Sequence, residues 1–239
     1  MTMTKVLLVV SGSDHWTLKD GSKHPTGFWA AEFIHPHQVF SAAGYDITIA
    51  TPGGVVPTVD EVSLRPDLNA GQDDVDAQRQ YLADLGETLT KLARLEDVDP
   101  ADYDAVYVSG GHGPMEDLAD NAVIGKIFAA LYPDKNKVVA ADCHGVGALL
   151  PARNADGTWP FSGVKMTGFT NEEETLFGFG DKAPWLLESR LRENGADFNG
   201  GAAFTPTVVI DGNVITGQNP ASAQPSAQAV VEYLAAHTA

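Results

Sequence analysis

The chain has 239 residues, of which 44% are hydrophobic, and its 32 acidic and 15 basic side chains give a net charge of −17. That balance argues against nucleic acid and anionic membrane surfaces as partners, since both require clustered lysine and arginine. The single cysteine excludes an intramolecular disulfide and a zinc site built on several cysteines. No apolar run approaches the roughly 20 residues of a membrane-spanning helix and residues 1–5 lack a signal-peptide pattern, so we expect a cytoplasmic protein.

Short apolar segments that end at glycine or polar residues predict the strands of a sheet. Four of them precede the only cysteine, at residues 5–10, 46–50, 105–109 and 138–142. Two more are predicted at residues 207–210 and 213–216, on either side of an Asp-Gly pair that is typical of a tight hairpin.

Segments with helical periodicity lie between these strands. They are predicted at residues 27–44, 74–94, 122–131, 183–193 and 222–236. Pro36 should kink or divide the first of them. This alternation predicts an α/β protein with a doubly wound, mostly parallel sheet covered by helices on both faces. Because no linker or repeat interrupts it, we expect one domain over residues 1–239.

The fourth predicted strand runs directly into Cys143, which is followed by His144 and by small residues that begin a helix. This order is typical of a nucleophile elbow, in which a sharp turn raises the reactive atom above the sheet. The positive end of the helix dipole should favour the thiolate. His144 offers an imidazole for proton transfer and a backbone amide for an oxyanion. An inert buried cysteine is the alternative.

A Gly-Gly-His-Gly turn at residues 110–113 follows the third predicted strand. Since the carboxyl ends of parallel strands meet at one edge of the sheet, its backbone amides near Gly111 should complete the oxyanion site opposite Cys143. The turn lacks the Lys and Ser/Thr spacing of a phosphate-binding loop. A turn selected only for its backbone conformation is the alternative.

Glu32 stands in an apolar segment, between Trp29 and Phe33. Burial would raise its pKa, and a protonated carboxyl could then donate a hydrogen bond to the sulfur. A partly exposed helix glutamate is the alternative. The nearby His35 and His37 are two residues apart and would lie on different faces of a helix, so no metal site is expected there.

Three consecutive glutamates at residues 172–174 follow Thr170 and Asn171, either of which is a good N-cap. Acidic side chains in a first helical turn are stabilised by the helix dipole, which explains all three without any catalytic role. One of them could instead face inward and orient His144, as the acid of a catalytic triad orients its base.

These segments resemble the PfpI-like superfamily, which has a flavodoxin-type, class I glutamine-amidotransferase-like fold. The resemblance is carried by the Gly-Gly-His-Gly turn, by the Ala-Asp-Cys-His-Gly segment at 141–145, and by residues 27–36, 111–118, 165–174 and 216–222. Within the superfamily, the chain is similar to the branch of heat-shock chaperones and glutathione-independent glyoxalases. The resemblance implies that Glu32, Cys143 and His144 are site residues, and that Glu174, or else Glu173, is the acid that holds the histidine.

The resemblance also implies an activity. We expect a glyoxalase III-type reaction that converts methylglyoxal and related small 2-oxoaldehydes to 2-hydroxy acids, with D-lactate as the product from methylglyoxal, through a hemithioacetal on Cys143. Neither a metal nor an organic cofactor is expected, and a homodimer is expected by analogy. The alternatives from the same superfamily are a holdase chaperone or protein deglycase and a cysteine amidohydrolase or peptidase. An oxidation-sensing thiol is a further possibility.

Overall fold

A seven-stranded sheet forms the centre of the protein in the computed structural model, which describes residues 3–237. The strands in chain order are β1 Lys5–Val9, β2 His15–Thr17, β3 Lys23–Pro25, β4 Asp46–Thr51, β5 Ala93–Arg94, β6 Ala105–Val108, β7 Val138–Asp142, β8 Lys165–Met166, β9 Asp197–Phe198, β10 Val208–Asp211 and β11 Val214–Gly217. The sheet has the order β10-β11-β7-β6-β1-β4-β5 and is parallel except for the β10–β11 hairpin. The short pairs β2–β3 and β8–β9 lie outside it.

Helices cover both faces of this sheet. They are α1 Ala30–Ala42, α2 Gln72–Leu85, α3 Gly113–Asp117, α4 Ala122–Leu131, α5 Asn171–Leu176, α6 Leu187–Glu193 and α7 Ala223–His237. Within β1, Val6 and Leu8 pack with α1 and α7, whereas Leu7 and Val9 pack with α4 on the other face. A strand that is buried on both faces is apolar at every position, which explains the continuous apolar pattern of β1. The predicted doubly wound α/β fold is confirmed.

Several predicted boundaries were wrong for local reasons. The helix predicted over 74–94 ends at Leu85, because Gly86 adopts a φ of +44° and the chain then forms the edge strand β5. Pro36 neither divides nor ends α1, which continues for six residues beyond it. The hairpin loop between β10 and β11 consists of Gly212 and Asn213, one residue later than predicted. No helix among residues 3–237 is long and apolar enough to cross a membrane.

Candidate active site

Cys143 lies at the sharp turn between β7 and a 3-10 helix over Cys143–Leu149. Its φ of +51° falls in the left-handed region, which costs a residue with a side chain about 1–2 kcal/mol. The turn also depends on Gly145, where a Cβ would lie 2.6 Å from the carbonyl oxygen of Val108. The strained turn places the sulfur at the carboxyl edge of the parallel strands, as the predicted nucleophile elbow requires.

A series of close polar contacts connects the Cys143 sulfur with two histidines and a glutamate. His144 Nδ1 lies 3.4 Å from Cys143 Sγ, and His144 Nε2 lies 2.6 Å from Glu174 Oε2. The second oxygen of Glu174, Oε1, lies 2.9 Å from His112 Nε2. All four side chains are buried. Glu174 therefore bridges two imidazole rings, one of which faces the cysteine.

Electrostatic interactions among these buried side chains determine which of them carry a proton. Burial acts to raise the pKa of Glu174, but the adjacent His144 and His112 outweigh it and hold that pKa well below its ordinary value. Burial, together with His112, lowers the pKa of His144 against the opposing effect of Glu174. A neutral His144 beside a carboxylate carries its proton on Nε2. Its Nδ1 therefore presents a free lone pair to the Cys143 thiol.

The pKa of the thiol itself differs from the prediction. Burial raises the pKa of Cys143 well above its ordinary value, and the nearby carboxyl groups of Glu32 and Asp142 add to the effect. The thiolate predicted from the helix dipole was wrong, because burial and two acidic groups outweigh the dipole of a short 3-10 helix. The resting group is therefore a thiol, which must lose its proton as it attacks.

Glu32 projects from the first turn of α1 and is completely buried. Its carboxyl faces the Cys143 thiol and the Gly111 amide, although neither oxygen makes a well-formed hydrogen bond within the described part of the chain. Burial raises the pKa of Glu32 to about 8, against the opposing effects of Cys143 and Gly111. At neutral pH this carboxyl is therefore mostly protonated and can donate a hydrogen bond.

Asp142 is a second buried acid that the sequence analysis treated only as the last residue of a strand. Neither of its oxygens has a hydrogen-bond partner among the described residues. Burial raises the pKa of Asp142 well above its ordinary value, and Glu32 adds to that effect. The signal was present in the sequence: a carboxyl group at the end of an apolar strand, directly before the only cysteine.

Gly111 approaches the sulfur from the turn after β6. Its φ is +96°, and a Cβ at this position would lie 2.5 Å from the carbonyl oxygen of Gly27 and 2.6 Å from the Trp29 amide nitrogen. Only glycine fits here, so the turn brings its backbone amide toward Cys143 and Glu32. The Gly111 amide thus lies near Cys143 and Glu32, while His144 is the second residue of the nucleophile turn; their use as an oxyanion site stays a prediction.

Glu173, the second candidate for the orienting acid, makes no hydrogen bond to His144. Its Oε2 accepts hydrogen bonds from the backbone amide and the hydroxyl of Thr170, and the Glu173 amide donates to Thr170 Oγ1, which completes a capping box at the start of α5. Its Oε1 accepts from the Phe204 amide and from Asn219 Nδ2, both at 2.8 Å. The geometry therefore assigns the contact with His144 to Glu174 and gives Glu173 a different set of partners.

His112 is a site residue that the sequence analysis did not single out. Its ring stacks on Trp16 of β2 with 4.7 Å between centroids and lies 4.2 Å from the His144 ring. The sequence did contain a signal for His112, because the Gly-Gly-His-Gly turn was predicted to lie at the same sheet edge as Cys143. His112, His144 and Glu174 also form a donor set that could hold a metal ion, since the ligand atoms lie within 4.8 Å of one another.

A cavity of about 590 Å³ opens above these residues. Cys143, His144, Gly111 and His112 contribute to its lining, so the reactive atoms lie at a site that a small molecule can reach. Its remaining walls are mostly aromatic and aliphatic: Trp29, Leu68, Phe169, Leu176, Phe177 and Phe204, with Asp67, Asn69, Asn219, Pro220 and Ala221.

Comparison with known proteins matches this architecture. The sequence model of the DJ-1/PfpI family covers residues 25–233, which include every site residue described above. The chain belongs to the DJ-1/PfpI family. The predicted resemblance to PfpI-like proteins is therefore confirmed.

Two curated members of the DJ-1/PfpI family are similar over almost their whole length. Glyoxalase 3 of Candida albicans is 32% identical over 235 residues, which cover 96% of this chain and 98% of that protein. A glutathione-independent glyoxalase of Saccharomyces cerevisiae is 30% identical over 240 residues, covering 98% and 99%. The similarity therefore extends over the sheet, the nucleophile turn and the walls of the cavity.

Solved structures agree with these sequence matches. The crystal structure of glyoxalase III from Candida albicans superposes with a TM-score of 0.82 at 30% identity, covering 97% of each chain. Rapid encystment protein 24 kDa of Francisella tularensis gives a TM-score of 0.83 at 32% identity, covering 97% of this chain and 99% of that one. The predicted similarity to proteins named as glutathione-independent glyoxalases is therefore confirmed.

Proposed function

We propose that this protein is a glutathione-independent glyoxalase that converts methylglyoxal and related 2-oxoaldehydes to 2-hydroxy acids. The observation that carries the proposal is the position of a single thiol against the unprotonated Nδ1 of His144, at the base of an open cavity. The thiol takes the place that glutathione fills in other glyoxalases, because it binds the substrate covalently within the protein. The full-length similarity to two proteins named as glyoxalases supports this assignment.

The first step forms a bond between Cys143 Sγ and the aldehyde carbon of methylglyoxal. As this bond forms, the thiol proton passes to His144 Nδ1, and the carbonyl π electrons move to oxygen. The backbone amides of Gly111 and His144 stabilise the resulting oxyanion. Proton transfer from the imidazolium to this oxygen completes the hemithioacetal and returns His144 to its neutral form.

The second step moves hydrogen between the two carbons of the bound substrate. Neutral His144 removes the proton from the sulfur-bearing carbon, and the electron pair forms an enediolate with the neighbouring ketone carbon. The imidazolium returns this proton to the second carbon, and the hydroxyl proton on the oxygen of the sulfur-bearing carbon passes to the oxygen of the second carbon, which gives a 2-hydroxy thioester. Water then attacks the thioester, the carbon–sulfur bond breaks, and the sulfur takes up a proton. The aldehyde carbon is oxidised and the ketone carbon is reduced, so no external redox partner is needed.

Two carboxyl groups support these steps without reacting themselves. Glu174 holds the proton of His144 on Nε2 and stabilises the imidazolium that forms transiently. Protonated Glu32 faces the sulfur and stabilises the negative charge that develops there by donating a hydrogen bond as the thiol loses its proton. The two acids differ in protonation because Glu174 lies between two imidazoles, whereas Glu32 lies in an apolar site.

The test of the proposal is a direct assay. Purified protein incubated with methylglyoxal, in buffer without glutathione, should form D-lactate, which a D-lactate-specific dehydrogenase measures. Formation of lactate only after addition of glutathione, or no formation at all, would overturn the proposal. Suppression of client-protein aggregation by a protein that forms no lactate would point to the holdase alternative.

Replacement of Glu174 by glutamine should lower kcat/KM for methylglyoxal by about 10²- to 10⁴-fold. The amide cannot accept hydrogen bonds from both His144 and His112 through two oxygens, and its NH₂ group favours the wrong tautomer of one ring. Glu172→Gln is the matched control, because Glu172 lies on the exposed face of the same helix and should leave kcat/KM unchanged. Equal activity of the two variants would contradict the role given to Glu174.

A further inference from the structure

The cavity above Cys143 is much larger than methylglyoxal needs. Its volume of about 590 Å³ lies in the range of sites that enclose drug-sized molecules. With its aldehyde carbon at the sulfur, methylglyoxal would present only one methyl group to the surrounding walls. Most of the cavity would therefore stay filled with water during turnover of that substrate.

The chemistry of the walls indicates which kind of group would fill this space. Aromatic and aliphatic side chains make up most of the lining beyond the reactive residues, and neither lysine nor arginine is among the lining residues. Asp67 is the charged lining residue outside the groups that contact the sulfur, and its carboxylate is paired with Arg65, which is not among the lining residues. The cavity therefore suits an uncharged apolar group and offers no counter-ion to an anionic one.

Phe204 is the wall residue with the most unusual conformation. Its φ of +57° lies in the left-handed region, and among residues 3–237 the only other non-glycine residue with positive φ is Cys143. This conformation costs about 1–3 kcal/mol and is found mainly where function requires it. The Phe204 side chain is also 47% exposed, which leaves a large apolar surface in water at the cavity. An apolar ligand would cover that surface.

A buried carboxylate holds Phe204 in this position. Glu173 Oε1 accepts a hydrogen bond from the Phe204 amide and another from Asn219 Nδ2. Glu173 and Glu174 are adjacent in α5, so one helical turn directs Glu173 to the cavity wall and Glu174 to His144. The Phe204 ring lies 6.3 Å from that of Phe169, which in turn packs 4.5 Å from the His144 ring. The cavity wall at Phe204 is thus held by α5, the same helix that supplies Glu174 to His144.

We propose that Phe204 is a specificity-determining residue, and that the preferred substrates are uncharged 2-oxoaldehydes with an aryl or similarly bulky apolar substituent on the ketone carbon. This inference rests on the proposed glyoxalase function and adds the substrate class to it. The reactive dicarbonyl lies at Cys143, and the substituent extends over Phe169 to Phe204.

The test compares kcat/KM for methylglyoxal, phenylglyoxal and 4-carboxyphenylglyoxal in the wild type and in Phe204→Ala. In the wild type, phenylglyoxal should exceed methylglyoxal by at least about tenfold, and the added carboxylate should remove most of that advantage. Phe204→Ala should lower the ratio of phenylglyoxal to methylglyoxal by about five- to tenfold. Comparing this ratio between two proteins cancels the different chemical reactivity of the two aldehydes.

Ile210→Ala is the matched control, because Ile210, like Phe204, is an exposed apolar residue but does not line the cavity. Its substrate ratio should equal that of the wild type. A Phe204→Leu variant, which keeps an apolar side chain, should show an intermediate ratio. Methylglyoxal turnover with a ratio that Phe204→Ala leaves unchanged would overturn this inference and leave the proposed function intact. Absence of turnover with every 2-oxoaldehyde would overturn the proposed function itself.

Discussion

Replacement of Cys143 by alanine is expected to lower kcat/KM for methylglyoxal by at least about 10⁴-fold. Among the residues that line the cavity, Cys143 supplies the thiol nucleophile, and His144 is positioned to accept its proton. Without the sulfur no hemithioacetal forms, so His144 has no activated carbon from which to remove a proton. D-lactate formation in the absence of glutathione measures the effect.

The control for Cys143→Ala is to show that the variant still folds. Alanine removes one buried atom, and a cavity of that size costs on the order of 1 kcal/mol. The circular dichroism spectrum should therefore match that of the wild type, and Tm should change by only a few degrees. Cys143→Ser keeps nearly the same volume and should lose activity to a similar extent. A folded alanine variant with more than about 1% of wild-type activity would contradict covalent catalysis at this position.

Glu32→Gln is expected to stabilise the protein and to reduce its activity. The ordinary pKa of this carboxyl is 4.5, and burial raises it to about 8 in the folded protein. Below pH 4.5, Glu32 is protonated in both the folded and the unfolded protein, so none of the free energy of unfolding is lost to its ionisation. As the pH rises toward 8, Glu32 ionises in the unfolded chain but stays mostly protonated in the folded protein. The free energy of unfolding therefore falls progressively. The neutral glutamine avoids that loss.

The gain in the free energy of unfolding should therefore increase from pH 5 to pH 8 and level off above it. The interval between 4.5 and about 8, at about 1.4 kcal/mol per pH unit, limits the gain to roughly 5 kcal/mol. Denaturant unfolding at pH 5, 7 and 9 measures it. Glu172→Gln, on the exposed face of α5, should show no such pH dependence. A Glu32→Gln protein that is less stable than the wild type at pH 9 would contradict the burial of a neutral acid.

The same substitution should lower kcat/KM by about 10- to 10²-fold. A glutamine amide still donates a hydrogen bond to the sulfur, but it is a weaker donor than a carboxylic acid and cannot share its proton. Glu32→Leu, which donates nothing, should be less active than Glu32→Gln. A higher activity of Glu32→Gln than of Glu32→Leu would show that the hydrogen bond to the sulfur contributes beyond the shape of the side chain.

The features that sequence predicted best are those with a local physical cause. The strand β6 is apolar at every position, and β7 is apolar up to Asp142, while the small residues after Cys143 allow the tight turn of the elbow. The choice between Glu173 and Glu174 was also accessible. Thr170 and Glu173 have the spacing of a capping box, which commits Glu173 to the helix terminus and leaves the next side chain to face His144.

Other features depend on contacts between distant segments and have no local signal. His112 and Glu174 are 62 positions apart and meet only after folding. Burial is the main cause of the raised pKa of Cys143, and α1 adds to it by bringing Glu32 to the sulfur from a distant part of the chain. Phe204, which has a positive φ, donates its amide hydrogen bond to Glu173, 31 positions earlier in the chain. Periodicity and motif spacing do not encode such contacts, so they required the structure.

The central claim is that one sulfur atom carries the substrate, and the single cysteine of this chain allows a direct measurement. Wild-type protein is treated with iodoacetamide, and intact-mass spectrometry and methylglyoxal turnover are followed together. We expect activity to fall in proportion to the fraction of protein carrying one label, and methylglyoxal to slow the labelling. Fully labelled protein that still forms lactate at the wild-type rate would contradict it.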